Sequence, residues 1–285
     1  MRVALTGAGG FTGRYVTAAL DAAGVEWVSL SADLRNPAAV EQAVMETDFD
    51  RLIHLAGHAF VGAPDWPSFY AVNQLGTFHL IDAVARLKPG TRCILASSAQ
   101  IYGPGAEGLI AENAPANPTN HYAISKFAME QGAALWRDRL EIVVTRPFNY
   151  TGVGQGTEYL VPKLVDHYRR RTPVIELGNT WVQRDFGDVR SVAEVYAMLV
   201  LARAVPPVLN ICTGTVCSIG AIVEMLSAIS GHTVEVRVNP VFVRANDVAV
   251  LGGDVAQLRT TLPAWQPREL RDTLEWMYGA YVVDA

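Results

Sequence analysis

The sequence predicts an α/β fold in which a doubly wound parallel sheet carries a smaller C-terminal lobe. Three observations support this prediction. Short apolar runs alternate with longer helical patterns up to Asn149, and strands separated by helices imply right-handed crossovers and a parallel sheet. The runs are continuously apolar, which is typical of strands that are buried on both faces. After Asn149 the pattern becomes irregular and rich in glycine.

The predicted elements alternate regularly in the first half of the chain. Gly24 follows the first helical pattern and is placed to end it. Asn36 precedes Pro37, and this pair is typical of a capped helix start. The apolar patterns predict strands over 3–6, 27–30, 52–55, 93–96, 141–145 and 208–212. They predict helices over 13–23, 37–45, 73–87, 122–136, 160–170, 191–201, 219–229, 255–260 and 270–278.

Composition excludes several classes of protein. The 285 residues are half apolar and carry a formal net charge of -5, so the chain is not built to coat nucleic acid, whose phosphates need a basic face. The three cysteines have neither a zinc spacing nor a disulfide framework, and we predict no metal site. No apolar run approaches the ~20 residues of a membrane span. The sequence opens directly in a strand pattern without a signal peptide, so we expect a cytoplasmic protein that binds no membrane.

A glycine-rich turn directly follows the first predicted strand. Gly7, Gly10 and Gly13 have the spacing G-x-x-G-x-x-G between a strand and a helix. The first glycine allows a tight turn, the second lets the backbone approach a pyrophosphate, and the third lets the helix pack on the strand. Free N–H groups at the helix start then face the phosphates. We therefore predict a Rossmann-type dinucleotide site. The alternative is a glycine-rich turn that binds no ligand.

The identity of the dinucleotide depends on the second predicted strand. An NAD-preferring site usually ends this strand with an acidic residue that holds the ribose hydroxyls, but here the strand is followed by Ser31. A 2′-phosphate would not be repelled, and Arg14 and Arg35 could neutralise it. Asp33 could hold the adenine amino group or cap the turn. We expect NADPH or NADH as cofactor, with NADPH slightly favoured.

A tyrosine and a lysine form the predicted catalytic pair. Tyr122 and Lys126 lie four residues apart on a predicted helix and share one face. A free tyrosine has a pKa near ~10, and we expect the neighbouring ammonium to favour the phenolate and so assist proton exchange. Ser97 and Ser98 end the fourth predicted strand, and one of them would complete the set. The alternative is a surface helix pair without a catalytic role.

Several motifs together resemble one protein family. They are Thr6-Gly7-x-x-Gly10-Phe11-x-Gly13, His54-Leu55-Ala56-Gly57, Asn73-x-x-Gly76-Thr77, Ser97-Ser98-x-x-Ile101-Tyr102-Gly103, Tyr122-x-x-x-Lys126, Arg146-Pro147-Phe148-Asn149 and Arg184-Asp185-Phe186. Over nearly its whole length the chain resembles an extended short-chain dehydrogenase/reductase, of the epimerase/dehydratase branch that acts on nucleotide sugars. Within that branch, the segments that begin at Arg146 and Gln183 are most similar to the reductases of GDP-linked 6-deoxy-4-ketomannose.

The resemblance implies roles for individual residues. Ser98, Tyr122 and Lys126 would be catalytic. Tyr122, Lys126 and the following residues would contact the cofactor: Gly7, Gly9, Gly10, Phe11, Thr12, Gly13, Asp33, Leu34, Leu55, Ala56, Gly57, Asn73, Ala96, Pro147 and Phe148. The substrate would contact Ser98, Gln100, Asn149, Arg184 and Arg244. Some positions have structural alternatives, since His54 could be a core histidine and Arg184 could form a surface ion pair with Asp185.

The resemblance also implies a domain organisation and an assembly. Residues 1–149 would form the dinucleotide-binding Rossmann domain, to which 186–212 would return, while 150–185 and 213–285 would form the substrate-binding lobe. The predicted helices over 73–87 and 122–136 are apolar on much of their surface. In related enzymes the equivalent helices pair in a four-helix bundle, so we expect a homodimer.

The residues after the catalytic serine separate the reactions of this family. Its 4,6-dehydratases carry carboxylates there, whereas this chain has Ala99 and Gln100, neither of which transfers a proton usefully. We therefore predict NAD(P)H-dependent reduction of the 4-keto group of a nucleotide-linked 4-keto-6-deoxyhexose, with a GDP-sugar favoured. A UDP-hexose 4-epimerase with tightly bound NAD⁺ is the alternative. A minor alternative is a non-catalytic dinucleotide-binding protein.

Overall fold

A computed structural model of the chain describes residues 1–59, 65–106, 108–242 and 248–280. Arg244, which was expected to contact the substrate, lies outside the described residues. None of the helices in the described ranges is long and apolar enough to cross a membrane.

The strands and helices of the described residues are numbered here in chain order. The strands are β1 (Arg2–Thr6), β2 (Glu26–Ser29), β3 (Arg51–His54), β4 (Arg92–Ala96), β5 (Gly108–Ile110), β6 (Glu141–Pro147), β7 (Asn149–Thr151), β8 (Val174–Leu177), β9 (Gln183–Arg184), β10 (Phe186–Asp188), β11 (Val208–Ile211), β12 (Cys217–Ser218), β13 (Glu235–Val238) and β14 (Val250–Gly253). The helices are α1 (Phe11–Ala22), α2 (Pro37–Glu46), α3 (Thr77–Leu87), α4 (His121–Ala133), α5 (Leu160–Arg169), α6 (Val189–Leu201), α7 (Ile219–Ser230), α8 (Ala256–Thr261) and α9 (Leu270–Ala280).

A six-stranded parallel sheet forms the centre of the fold. Its strand order is β11-β6-β4-β3-β1-β2, and every neighbouring pair is parallel. One apolar core packs α1, α6 and α8 against one face of the sheet, and a second packs α2, α3 and α4 against the other. The predicted α/β fold with a doubly wound parallel sheet is therefore confirmed.

The lobe is built from short strands and from the later helices. One small sheet has the order β12-β9-β14-β5, and β8 pairs with β13. Helices α5, α7 and α9 share a separate apolar core beside these strands. Strand β11 does not belong to the lobe, because it pairs with β6 in the central sheet. The predicted domain boundaries stay a prediction.

The local signals at helix ends have the expected structural effect. The Asn36 side chain accepts hydrogen bonds from the backbone N–H groups of Ala38 and Ala39 at the start of α2, and Gly24 has a positive φ of 65° after α1. The third predicted helix differs at its start. It begins as a π-helix over Phe69–Gly76, which continues directly into α3. Such π-helical turns are rare and often lie at functional sites.

Candidate active site

The glycine turn between β1 and α1 brings two backbone segments into close contact. A Cβ on Gly7, whose φ is 75°, would lie 2.8 Å from the backbone nitrogen of Ala56, and a Cβ on Gly13 would lie 2.0 Å from the carbonyl oxygen of Gly7. Side chains at these two positions would therefore force the turn apart. Gly9 and Gly10 are exposed, and no acidic residue lies in the first turn of α1. The turn thus offers free N–H groups without a side-chain barrier and fits a dinucleotide diphosphate.

A cleft of about 1050 Å³ runs from this turn to the lobe. It is lined by most of the predicted site residues, namely Gly7, Gly10, Phe11, Thr12, Gly13, Leu55, Gly57, Ala96, Ser98, Gln100, Tyr122, Lys126, Pro147, Phe148, Asn149 and Arg184. The opening of such a cleft at the carboxyl ends of parallel strands is the usual ligand position in open α/β sheets. The structure therefore brings the predicted cofactor, catalytic and substrate residues to one continuous surface.

The three predicted catalytic side chains lie together where β4 meets α4. The Ser98 and Tyr122 side chains both line the cleft, and the Ser98 hydroxyl lies close enough to Tyr122 to act on its pKa. The Ser98 oxygen also accepts from the backbone N–H of Gln100 at 3.2 Å, which holds the serine at the start of a short 3₁₀ turn. Lys126 Nζ donates to the carbonyl oxygen of Ala96 at 2.7 Å. Because an ammonium has three donors, Lys126 keeps others for a ligand in the cleft.

Burial controls the protonation of these groups. It raises the pKa of Tyr122 well above its ordinary value, although the nearby Ser98 hydroxyl opposes this change. It lowers the pKa of Lys126 to about 8, while the negative charge of Glu130 acts to raise it. Desolvation of the phenolate is the largest effect on the Tyr122 pKa in this structure, and the expected assistance from Lys126 stays a prediction. The tyrosine is held as a neutral phenol, the form that can donate a proton.

Asn73 supports the site from behind the cleft and does not line it. Its side-chain oxygen accepts from the backbone N–H of His58 at 2.8 Å, and its amide donates to the carbonyl oxygen of His58 at 2.9 Å. The same amide donates to Ser125 Oγ at 3.3 Å. A Cβ on Gly57 would lie 2.8 Å from the Asn73 oxygen and 3.4 Å from Lys126 Nζ. Asn73 therefore fixes the backbone turn that passes beside the catalytic lysine.

His54 is a buried structural histidine, as its alternative interpretation predicted. Its Nδ1 lies 2.6 Å from Thr6 Oγ1, and its Nε2 lies 2.9 Å from Thr77 Oγ1. Thr77 donates to the carbonyl oxygen of Asn73 at 2.7 Å, so its oxygen is free to accept from Nε2–H. Burial lowers the pKa of His54 to about 3. The neutral ring thus links β1, β3 and the π-helix under the cofactor end of the cleft.

Gln100 both lines the cleft and orients the catalytic helix. Its side-chain oxygen accepts from Asn120 Nδ2 at 3.2 Å. The Asn120 oxygen in turn accepts from the backbone N–H of Ala123 at 2.8 Å, which caps the start of α4. The residue that replaces the dehydratase carboxylate therefore connects the Ser98 turn to the helix that carries Tyr122.

Other residues predicted to contact the cofactor lie outside the surface of the cleft. Asp33 accepts from the backbone N–H of Arg35 at 3.0 Å and forms an ion pair with its guanidinium at 2.8 Å. This pair holds the pKa of the Asp33 carboxyl well below its usual range, at about 2. Leu34 packs against Gly76, where a Cβ would lie 2.7 Å from the Leu34 side chain. Asp33 therefore caps its own turn, and Arg35 is the cation that lies beside it.

The lobe side of the cleft contains the predicted residue Arg184, and the cleft also has lining side chains that the sequence did not reveal. Arg184 donates to the carbonyl oxygens of Gln183 and Val248 at 2.8 and 2.7 Å, and its neighbour Asp185 accepts from the backbone N–H groups of Thr213 and Gly214. Further lining residues were not predicted: His58, Tyr150, Glu158, Tyr159, Lys163, Glu176, Asn179, Tyr196 and Phe242. Most of them come from segments without a recognisable motif.

The fold and the glycine turn define a dinucleotide-binding α/β enzyme. Residues 3–212 match the family model described as "NAD dependent epimerase/dehydratase family". The chain belongs to this family, which confirms the predicted family and the predicted oxidoreductase class of extended short-chain dehydrogenases/reductases.

Two curated relatives cover most of the chain. The chain is 34% identical over 252 residues to GDP-6-deoxy-D-talose 4-dehydrogenase of Aggregatibacter actinomycetemcomitans, and this match covers 85% of this chain and 85% of the relative. It is 31% identical over 282 residues to GDP-6-deoxy-D-mannose reductase of Pseudomonas aeruginosa, covering 93% of this chain and 92% of the relative.

Solved structures share the same architecture. A candidate epimerase of Burkholderia cenocepacia has 40% identity and a TM-score of 0.92, with 98% of this chain and 97% of that chain covered. The structure of RMD from Pseudomonas aeruginosa complexed with NADPH has 28% identity and a TM-score of 0.88, with 98% and 96% covered.

Proposed function

We propose that the chain reduces the 4-keto group of a GDP-linked 4-keto-6-deoxyhexose with a nicotinamide dinucleotide as reductant. One observation carries the proposal: the side chains of Ser98, Tyr122 and Lys126 line the same cleft that starts at the glycine turn, with the Ser98 hydroxyl close enough to act on the pKa of Tyr122. A neutral phenol and a second hydroxyl are the groups that a ketone needs when hydride arrives at its carbon. The two curated relatives, named for oxidoreductases of GDP-6-deoxyhexoses, support the same chemistry.

The residues of this chain divide the work of the reaction. The bound dinucleotide supplies the hydride. Ser98 donates a hydrogen bond to the substrate oxygen, and Tyr122 donates its proton to that oxygen as negative charge develops there. The phenolate left behind is disfavoured because Tyr122 is buried, so it regains a proton before the next turnover. Lys126 would hold the ribose next to the nicotinamide, anchored by its hydrogen bond to Ala96.

The residues beside this pair favour reduction over elimination of water. Ala99 is buried and Gln100 is engaged with Asn120, so neither position offers a carboxyl group to expel a C6 hydroxyl. A UDP-hexose 4-epimerase that retains NAD⁺ is the second candidate, since the Burkholderia cenocepacia structure is described as a candidate epimerase. The cofactor we propose is NADPH or NADH. NADPH is favoured because Arg35 lies in the turn between β2 and α2, and because the Pseudomonas aeruginosa structure is complexed with NADPH.

A single assay separates these functions. The purified protein is mixed with NADPH or NADH and GDP-4-keto-6-deoxymannose, and cofactor oxidation is followed at 340 nm (a wavelength specific to reduced nicotinamide). We expect stoichiometric oxidation, with the sugar product identified by NMR. Talose and mannose differ at C4, so the product also shows which of the two relatives the chain matches in stereochemistry. Interconversion of two UDP-hexoses without net cofactor oxidation would establish the epimerase.

We also propose a homodimer formed by α3, α4 and the π-helix that precedes α3. Leu75 is exposed on the π-helix, Ile124 on α4, and Leu135, by 79%, on the 3₁₀ turn that directly follows α4. Pairing two copies into a four-helix bundle would cover such side chains. A monomer mass at micromolar concentration in light scattering would contradict the dimer. The cytoplasmic location stays a prediction.

A further inference from the structure

Thr12 and Tyr150 bring two hydroxyl groups together at the cofactor end of the cleft. Thr12 lies in the first turn of α1, and Tyr150 lies in β7, 138 residues further along the chain. Their oxygens are 2.8 Å apart, and both residues line the cleft. The ring of Tyr150 is stacked on that of Phe11, with centroids 6.2 Å apart and an interplanar angle of 8°. The stacking fixes the direction in which the Tyr150 hydroxyl points.

This pair leaves one hydroxyl hydrogen unused. Each hydroxyl carries a single hydrogen, so whichever of Thr12 and Tyr150 donates within the pair, the hydrogen of the other stays available. Within the described part of the chain, no further acceptor is bonded to either hydroxyl. Burial raises the pKa of Tyr150, so its phenol keeps its proton at neutral pH. The pair therefore presents one O–H donor to the cleft.

The spare donor lies beside other donors of the same turn. Gly10 caps α1 without a side-chain hydrogen bond, and no acidic residue lies in the first helical turn. The backbone N–H groups of this turn lack partners within the helix and favour an anion. A half-buried O–H next to them adds a donor where negative charge is already favoured. A phosphate oxygen of a dinucleotide is an acceptor of the right charge.

Tyr150 also belongs to the segment that borders the substrate. It lies between Asn149 and Thr151 in β7. Its carbonyl oxygen accepts from Gln155 Nε2 at 3.2 Å, and Thr151 donates to the Gln155 side-chain oxygen at 2.8 Å. Asn149 and Gln155 both line the cleft. A change in the position of Tyr150 would therefore move side chains that face the substrate.

We infer that the Thr12–Tyr150 hydroxyl pair donates a hydrogen bond to the diphosphate of the bound dinucleotide, and that through this contact the cofactor tightens binding of the nucleotide sugar. The inference rests on the proposed function for the identity of the two ligands. It assigns a cofactor role to Tyr150, a residue outside every motif that the sequence revealed. It also gives a physical path from the cofactor turn to the substrate segment.

The test uses near-isosteric variants and calorimetry. NADPH and ADP-ribose, which has the diphosphate but no nicotinamide, are titrated into wild type, T12V, Y150F and the double variant. A hydrogen bond to a charged group contributes about tenfold or more in affinity, so the double variant should lose about tenfold for both ligands. The single variant with the larger loss identifies the hydroxyl that faces the diphosphate. GDP is then titrated with and without NADPH, and the double variant should lose most of a wild-type coupling of about fivefold or more.

Tyr15→Phe is the matched control. Tyr15 is also on α1, and its hydroxyl donates to the carbonyl oxygen of Val153 at 2.7 Å, so this variant removes a tie between α1 and the same segment. We expect a lower melting temperature and an unchanged affinity for ADP-ribose. The inference is overturned if the double variant keeps wild-type affinity and coupling, or if Tyr15→Phe weakens ADP-ribose equally. Failure of wild type to bind either NADPH or NADH would overturn the proposed function as well.

Discussion

The two ends of the cleft are constructed in different ways. At the cofactor end, backbone segments of β1, α1 and the turn after β3 approach so closely that Gly7 and Gly13 have no room for a side chain. At the lobe end, the surface consists of side chains such as Lys163, Glu176 and Arg184, which are carried by α5, β8 and β9. Substitution is therefore constrained at one end and tolerated at the other.

This difference suits the two ligands. A dinucleotide presents the same diphosphate to every enzyme that uses it, and a backbone turn binds that group through N–H donors that every residue except proline supplies. A nucleotide sugar varies in base and sugar, and exchangeable side chains can follow that variation. The proposed catalytic residues lie between the two ends, with Ser98 in the turn after β4 and with Tyr122 and Lys126 on α4.

The largest expected effect concerns Tyr122, which lies between the cofactor end and the lobe end of the cleft. Tyr122→Phe should lower kcat by about 10²- to 10⁴-fold, because it removes the proton donor and leaves the ring in place. Steady-state kinetics with NADPH and the ketosugar, together with the Kd for NADPH, would measure it. We expect the Kd to change little.

Tyr196→Phe is the matched control for that prediction. Tyr196 also lines the cleft, but its hydroxyl lies 2.9 Å from Thr145 Oγ1 inside the fold. This variant should lose stability, by about 1 kcal/mol for one hydrogen bond, and keep most of its kcat. Equal losses of kcat in the two variants would remove Tyr122 from its role as proton donor.

The rigid end can be tested by adding one methyl group. A Cβ at Gly13 would lie 2.0 Å from the Gly7 carbonyl oxygen, whereas at Gly9 it would meet no atom within 4 Å. Gly13→Ala should therefore abolish measurable NADPH binding and destabilise the protein by about 1–3 kcal/mol or more. Gly9→Ala should keep the wild-type melting temperature and lose far less affinity. Similar melting temperatures for the two variants would contradict the close approach as the reason for glycine at 13.

The difference between the cofactor end and the lobe end of the cleft also explains which parts of the molecule could be predicted from sequence. The glycine turn, the central strands and Tyr122 with Lys126 are encoded by residues within a few positions of each other, so local patterns reveal them. The small sheet pairs β14 with β5, which lies more than 100 residues earlier in the chain, and with β9, which lies more than 60 residues earlier, and each of these strands is only two to four residues long. Strands that short have no readable period.

Burial also affects the protonation of Tyr122 and Lys126, and the sequence does not report it. The spacing of Tyr122 and Lys126 was expected to favour the phenolate, but spacing does not report how far both groups are withdrawn from water. In the structure, desolvation raises the pKa of the phenol and lowers that of the amine. Asp33 pairs with Arg35, two residues further along the chain, and its expected contact with the cofactor stays a prediction. The pKa shifts of Tyr122 and Lys126 depend on tertiary surroundings.

Substitutions of Arg184 provide a test of the lobe end of the cleft. Arg184→Met should raise the Kd for GDP about tenfold or more, because a charge-assisted hydrogen bond to phosphate is lost, while the Kd for NADPH stays within twofold. Arg184→Lys keeps the charge without the planar fork and should fall between wild type and Arg184→Met. Calorimetry with each ligand separately gives both numbers. A parallel loss of NADPH affinity would show that the two ends of the cleft are not independent.

The smallest expected effect concerns Lys126, whose pKa burial lowers to about 8. The ammonium is the form that donates hydrogen bonds to Ala96 and to the cofactor ribose, so kcat/KM should fall as the pH rises through about 8. Glu130, on the next turn of α4, raises this pKa. Glu130→Gln should therefore move the descending limb to lower pH. If the descending limb of the pH profile stays at the same pH in this variant, the titrating group is not Lys126.

Stability should change in the opposite direction over the same pH window. Above pH 8 the folded protein releases the Lys126 proton, whereas the unfolded chain keeps it up to its ordinary value of 10.5. The unfolded state then binds more protons, so this lysine makes the free energy of unfolding rise with pH between about 8 and 10.5. Lys126→Met should lack that rise when urea unfolding is compared at pH 7.5 and 9.5. Parallel curves for the two proteins would mean that the amine is not desolvated. The decline in activity at high pH would then have to come from a group other than Lys126.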